Sequence, residues 1–140
     1  MGDAMKIIGL LGAVALMATA AGAQDMSGYW ACSSYARTNG PNVAPNPVGM
    51  EFQVAVYPDG TAQGQGIELG SSGRFQTAFQ ARWIVDNGTF VLQGQRQSGM
   101  GGGVIVPFTF ASSILSNSQM AYNHNPLQGT AIATSCTRQN

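Results

Sequence analysis

The two cysteines, Cys32 and Cys136, constrain the fold of this 140-residue chain more than any other feature, because they lie near opposite ends of the region after residue 24. A bond between them ties the first regular segment of that region to the last one. A sheet whose first and last strands are neighbours is a barrel, and a barrel removes the unpaired edges at which open sheets associate. The alternative, two free thiols used in redox chemistry, lacks a Cys-x-x-Cys motif.

The first residues of the chain are typical of an export signal. An unbroken apolar and small-residue run over 7–21 ends in Ala21-Gly22-Ala23, which fits the small-x-small pattern that a signal peptidase accepts. We therefore predict a signal peptide over 1–23 and a single domain over 24–140. The apolar run is shorter than the roughly 20 residues that span a bilayer, so we expect no transmembrane segment after cleavage. Export to the periplasm or the extracellular space favours a disulfide between the two cysteines.

Charge excludes one class of partner. The chain has six basic and six acidic residues and a formal net charge of zero. Nucleic-acid binding needs a basic face, so we expect no nucleic-acid partner. Glutamine, asparagine, serine and threonine supply most of the polarity, which is common on exported β proteins.

Hydrophobicity alternates with a period of two along the domain, which predicts β-strands. Phe75, Phe79 and Trp83 share one face of the clearest segment, whereas Gln76 and Gln80 point the other way. No stretch shows helical periodicity. We predict an all-β fold, an eight-stranded antiparallel up-and-down barrel. Its strands are expected at 28–35, 50–57, 61–69, 74–85, 89–97, 104–111, 119–124 and 128–138.

The connections between these strands differ at the two ends of the predicted barrel. Consecutive antiparallel strands place alternate connections at the same end. One end receives the short turns 58–60 and 86–88, the second of which, Asp86-Asn87-Gly88, suits a tight hairpin. The other end receives the long proline-bearing segment 36–49 and the glycine-rich segment 98–103. Because binding sites usually lie on variable loops held by a rigid scaffold, we predict the site at the long-loop end.

Gly28-Tyr29-Trp30 at the start of the first strand, together with Arg138 at the end of the last one, resembles the Gly-x-Trp and distant arginine signature of lipocalins and their calycin relatives. That resemblance implies a calycin-like barrel. It also implies that Trp30 plugs the closed end and that Arg138 lies across its ring in a cation-π contact.

Catalytic and metal-binding patterns are sparse. His124 is the only histidine, and no cluster of cysteine, histidine or carboxylate accompanies it, so we expect no metal site and no cofactor. A Ser-His-Asp triad is not indicated, since the chain has no Gly-x-Ser-x-Gly motif. Glu51 and Glu68 are the candidate pair for glycoside chemistry, but ion pairs with Arg37 or Arg74 explain them equally well. We expect no enzymatic activity.

The candidate ligand-binding residues fall into a basic group and an apolar group. The basic group lies near the long-loop end and would favour acidic ligands, unless Glu51 and Glu68 neutralise it. The apolar group would line the interior, although an eight-stranded barrel is just wide enough to be filled by its own side chains, and we expect a filled core. The residues are Arg37, Arg74, Arg96 and His124 in the first group and Phe52, Phe79 and Tyr122 in the second.

These features predict an exported, non-catalytic barrel that binds a small apolar or amphipathic molecule at the long-loop end. An inhibitor of a secreted protease or lysozyme is the main alternative, because such a protein needs no pocket. A structural protein of the cell envelope is the third possibility.

Overall fold

The computed structural model describes residues 25–38, 48–70, 73–124 and 130–139. The predicted signal peptide over 1–23 lies outside these residues. The described part contains eight strands, as predicted, with ends that differ from the predicted ones by at most three residues. They are β1 (Gly28–Thr38), β2 (Val48–Val56), β3 (Thr61–Gly70), β4 (Gly73–Asp86), β5 (Thr89–Ser98), β6 (Val104–Ser113), β7 (Gln119–His124) and β8 (Thr130–Gln139).

All eight strands form one antiparallel sheet in the order β6-β5-β4-β3-β2-β1-β8-β7. The first and last strands are neighbours, and Cys32 on β1 lies directly opposite Cys136 on β8. Their Cα atoms are 4.1 Å apart, and the two side chains form a disulfide. Both cysteines are buried, so the bond lies on the inner face of the sheet. The predicted disulfide and the pairing of the chain ends are thus confirmed.

The sheet curls strongly enough to bring distant strands into contact. Phe52 on β2 and Phe110 on β6 are separated by three intervening strands, yet their ring centroids are 5.2 Å apart. The Thr134 hydroxyl of β8 donates to the Ala111 carbonyl of β6 at 3.0 Å. The described strands therefore form a curled barrel around a common core.

The barrel is not paired along its whole circumference, which corrects the prediction of a continuous closed cylinder. The edge strands β6 and β7 share no ladder, and one isolated bridge joins Ile114, the residue after β6, to Met120 on β7. The turn before β7 uses the Gln119 carbonyl to accept from the amides of Leu115 and Ser116. The six residues of β7 pair along their whole length with β8 instead. We call this opening between β6 and β7 the seam.

Alternation along each strand sorts the side chains between core and solvent. On β4, Thr77, Phe79 and Ala81 are buried, whereas Gln80 and Arg82 are exposed. This is the arrangement expected of an antiparallel sheet with one solvated face. The Asn87-Gly88 hairpin has φ angles of 52° and 79°, as a two-residue turn of this type requires.

Two inward-facing glycines on β3 make room for the aromatic core. A Cβ at Gly64 would overlap the ring of Phe79, and one at Gly66 would overlap the backbone at Phe52. The β2–β3 ladder continues through both positions without a bulge. The absence of side chains on this part of the inner face therefore lets large rings from β2 and β4 meet inside the barrel.

Candidate functional site

One end of the barrel is sealed by residues from both ends of the domain. Trp30 is fully buried, and its indole N–H donates to the Met26 carbonyl at 2.9 Å. The Arg138 guanidinium carbon lies 4.5 Å from the centroid of the Trp30 ring, which is the contact implied by the resemblance. Arg138 also donates to the carbonyls of Asn117, Ser27 and Asp25. We call this region the closed end.

A cavity of about 580 Å³ opens to solvent at the opposite end, where the long connections leave the sheet. Ligand pockets generally have volumes of about 300–1,000 Å³, so this space suits a small molecule. We call it the mouth cavity. Its lining comes from β1, β2, β3, β5, β6 and the loop after β5, and includes Ser34, Ala36, Met50, Phe52, Glu68, Arg96, Ser98, Met100, Phe108 and Phe110.

Four buried phenylalanines form a cluster beneath the mouth cavity. The Phe52 ring stands edge-on to those of Phe79 and Phe110, with centroids 5.2 Å apart in both pairs. Phe79 and Phe108 are 4.3 Å apart. Edge-on and offset ring contacts of this kind are favourable beyond the area that they bury. The middle of the interior is therefore filled by side chains, as expected, and the mouth is an open depression above them.

A buried ion pair occupies the wall of the mouth cavity. Glu68 on β3 is 5% exposed, and its Oε2 pairs with Nη1 of Arg96 on β5. Its Oε1 accepts from the Ser98 hydroxyl at 3.2 Å and from the Met100 N–H at 2.9 Å. The carboxylate thus attaches the glycine-rich loop after β5 to the barrel wall.

The alternation of β3 could have revealed the position of Glu68, since Ala62, Gly64, Gly66 and Glu68 share the inner face. The sequence interpretation treated this glutamate as one of two charges near the rim. It did not identify the residue as a buried group of the cavity wall.

The two glutamates considered for glycoside chemistry lie on opposite faces of the sheet. Glu51 is exposed on the outer face, where its carboxylate accepts a hydrogen bond from the Tyr35 hydroxyl. That hydrogen bond raises the pKa of Tyr35. Because Glu68 points inward and Glu51 outward, they do not form a carboxylate pair around one substrate.

The predicted basic group is not assembled in one place by the described residues. Arg74 is exposed on the outer face, because β4 alternates and its neighbour Phe75 faces inward. Arg96 faces the mouth cavity and is neutralised by Glu68. Arg37 and His124 belong to β1 and β7, but their side chains lie outside the described part.

The predicted apolar group is split as well. Phe52 and Phe79 belong to the buried cluster, and Phe52 also lines the mouth cavity. Tyr122, by contrast, is 43% exposed.

The described residues lack two further features. They contain no group of three or more histidine, cysteine or carboxylate side chains placed to hold a metal ion. No helix in the same residues has the length and apolar character needed to cross a membrane.

Comparison with known proteins yields little. No protein family matches the sequence, and no curated protein does. Among solved structures, a redesigned β-barrel matches with a TM-score of 0.45 and 11% sequence identity, covering 82% of this chain and 92% of its own. The fold described above therefore rests on the strand pairing of this chain.

Proposed function

We propose that this protein is an exported, non-catalytic binding protein of calycin type that takes a small amphipathic molecule into the mouth cavity. The observation that carries the proposal is the asymmetry of the barrel. Trp30, Met26 and Arg138 seal one end, while the other holds a cavity of about 580 Å³. A barrel sealed at one end and open at the other is suited to a ligand that enters from the loop side.

The chemistry of the cavity supports an amphipathic ligand. Buried rings such as Phe52 and Phe108 offer apolar contact at its base, and the Glu68–Arg96 pair offers polar contact in its wall. Pockets of this composition, mostly apolar with a few placed polar groups, are typical of small-molecule sites. The disulfide supports export, because such bonds persist in oxidising compartments.

A fluorescence titration tests the proposal. The probe is N-phenyl-1-naphthylamine, an uncharged amphipathic fluorophore whose emission rises in apolar surroundings. We expect saturable binding by the wild type. Ala36 lines the mouth cavity, so Ala36→Trp should fill part of it and weaken binding at least tenfold.

The matched control is Ala78→Trp, which adds the same side chain on the exposed outer face of β4. It should leave probe affinity unchanged. Absence of saturable binding by the wild type, or equal weakening by both variants, would contradict the proposal. The first of these results would favour the inhibitor of a secreted protease or lysozyme, which needs no cavity.

A further inference from the structure

We propose that the mouth cavity selects ligands with an uncharged head that accepts hydrogen bonds, such as an ester or an alcohol, over a carboxylate or an amine of the same chain length. This inference rests on the proposed function and specifies the class of ligand for the same cavity. It depends on the charge of the cavity wall and on which partner of the ion pair faces the ligand.

The charge of the cavity wall is already balanced. Among the described residues that line the cavity, Glu68 and Arg96 are the charged ones, and they pair with each other. Three donors act on the Glu68 carboxylate, from Arg96, the Ser98 hydroxyl and the Met100 amide. Donors of this kind stabilise the ionised form of a carboxylate. The pair therefore contributes one negative and one positive charge, and its net charge is zero.

A ligand carboxylate would place an additional negative charge beside Glu68. Charges interact more strongly in a partly buried site than in water, and a charge without its own partner is costly to desolvate. Arg96 would then have to neutralise two carboxylates at once. An uncharged head avoids this cost and can still accept a hydrogen bond from the Arg96 guanidinium.

Exposure of the pair determines which hydrogen-bonding role the head must take. The Arg96 side chain is 27% exposed, whereas that of Glu68 is 7% exposed. A guanidinium has five N–H donors and no acceptor. The paired Nη1 is buried and carries two of these donors, so the other three, on Nε and Nη2, are the ones that a ligand can reach. The cavity thus presents the N–H donors of Arg96 to a ligand, whereas the Glu68 carboxylate is covered. A head with a carbonyl or hydroxyl oxygen fits this wall, and an ammonium head does not.

Competition for the bound probe tests the inference. The affinities of methyl decanoate, decanol, decanoic acid and decylamine are to be measured at pH 8 from how well each displaces N-phenyl-1-naphthylamine from the wild type. The four competitors share the same chain length. We expect the ester and the alcohol to compete at least tenfold more tightly than decanoate and decylamine.

In Glu68→Gln the negative charge is removed and Arg96 becomes available to an anion. The affinity for decanoate should then rise at least tenfold, and by more than the wild-type difference, so that decanoate binds more tightly than the ester. The matched control is Glu51→Gln on the outer face, which should leave the wild-type order unchanged.

The outcomes distinguish a failure of the preference for uncharged heads from a failure of the proposed binding function. If the wild type binds decanoate or decylamine more tightly than the ester and the alcohol, the inference is wrong, but the proposed function still stands. The same holds if Glu68→Gln folds and keeps the wild-type order. If Glu68→Gln does not fold, the order measured on the wild type decides the inference. Failure of the wild type to bind the probe would overturn the proposed function itself.

Discussion

The closed end and the mouth cavity belong to the same barrel but satisfy their polar groups in different ways. At the closed end, the indole N–H of Trp30 donates to one backbone carbonyl, and the guanidinium of Arg138 donates to three. The Arg138 guanidinium also lies over the indole ring of Trp30. At the mouth, Glu68 is covered while Arg96 stays partly accessible. Fully partnered polar groups stabilise a fold, whereas an accessible donor in a cavity is available to a ligand. The closed end thus holds fully partnered polar groups, whereas the mouth holds the partly accessible arginine on which the proposed ligand binding rests.

Removing the plug should produce the largest loss of stability. Trp30→Ala deletes a fully buried side chain and leaves a cavity, which typically costs about 3–5 kcal/mol of unfolding free energy. The matched variant is Phe75→Ala, which truncates a half-buried ring on the inner face near the mouth, and we expect a loss of at most about 2 kcal/mol. Urea unfolding followed by far-UV circular dichroism measures both. Equal losses would show that the closed end is no more important for stability than the mouth.

Removing the disulfide should produce the second largest loss of unfolding free energy. The experiment shows whether the pairing of β1 with β8 depends on the cross-link or on packing alone. Replacing both cysteines, as Cys32→Ala with Cys136→Ala, releases a constraint between residues 104 positions apart in the chain. We expect a loss of about 2–4 kcal/mol, since a cross-link restricts the unfolded chain. A reducing agent should lower the urea midpoint of the wild type and leave that of the double variant unchanged. A wild type insensitive to reduction would contradict this.

Acid should weaken the closed end by the smallest amount. The Asp25 carboxylate accepts hydrogen bonds from the hydroxyl and the amide of Ser27, which lower its pKa, and nearby Arg138 lowers it further. A pKa depressed by folding stabilises the protein above the unfolded value, about pH 4, and that stability is lost as the pH falls through the folded value. Unfolding midpoints between pH 6 and pH 2.5 should therefore fall less steeply in Asp25→Asn. Identical slopes for the variant and the wild type would refute the assignment.

Local patterns predicted the strands and their faces well, because side-chain alternation depends only on a strand's own sequence. Phe75, Phe79 and Trp83 illustrate this on β4, and the pairing of Cys32 with Cys136 followed from their places near the two ends. The Glu68–Arg96 pair could not be predicted in the same way. These residues lie on either side of β4, so their contact depends on the register of three strands, which tertiary packing determines.

The seam was beyond prediction for a related reason. The segment 119–124 was expected as a strand, and β7 has those bounds. The single bridge from Met120 to Ile114, however, depends on the geometry of the turn between Ser113 and Gln119. Alternation says nothing about how far two neighbouring strands remain paired.

The place of β8 in the sheet, between β1 and β7, has a consequence for the order of folding. Each strand from β1 to β5 pairs with the next in sequence, so β1 to β6 can assemble while the rest of the chain is synthesised. The short β7 has no ladder until β8 has been made, and one edge of β1 remains unpaired until then. A chain interrupted before residue 130 would therefore expose two unsatisfied strands, which are templates for aggregation. This topology therefore leaves unpaired strand edges on the growing chain until β8 has been made.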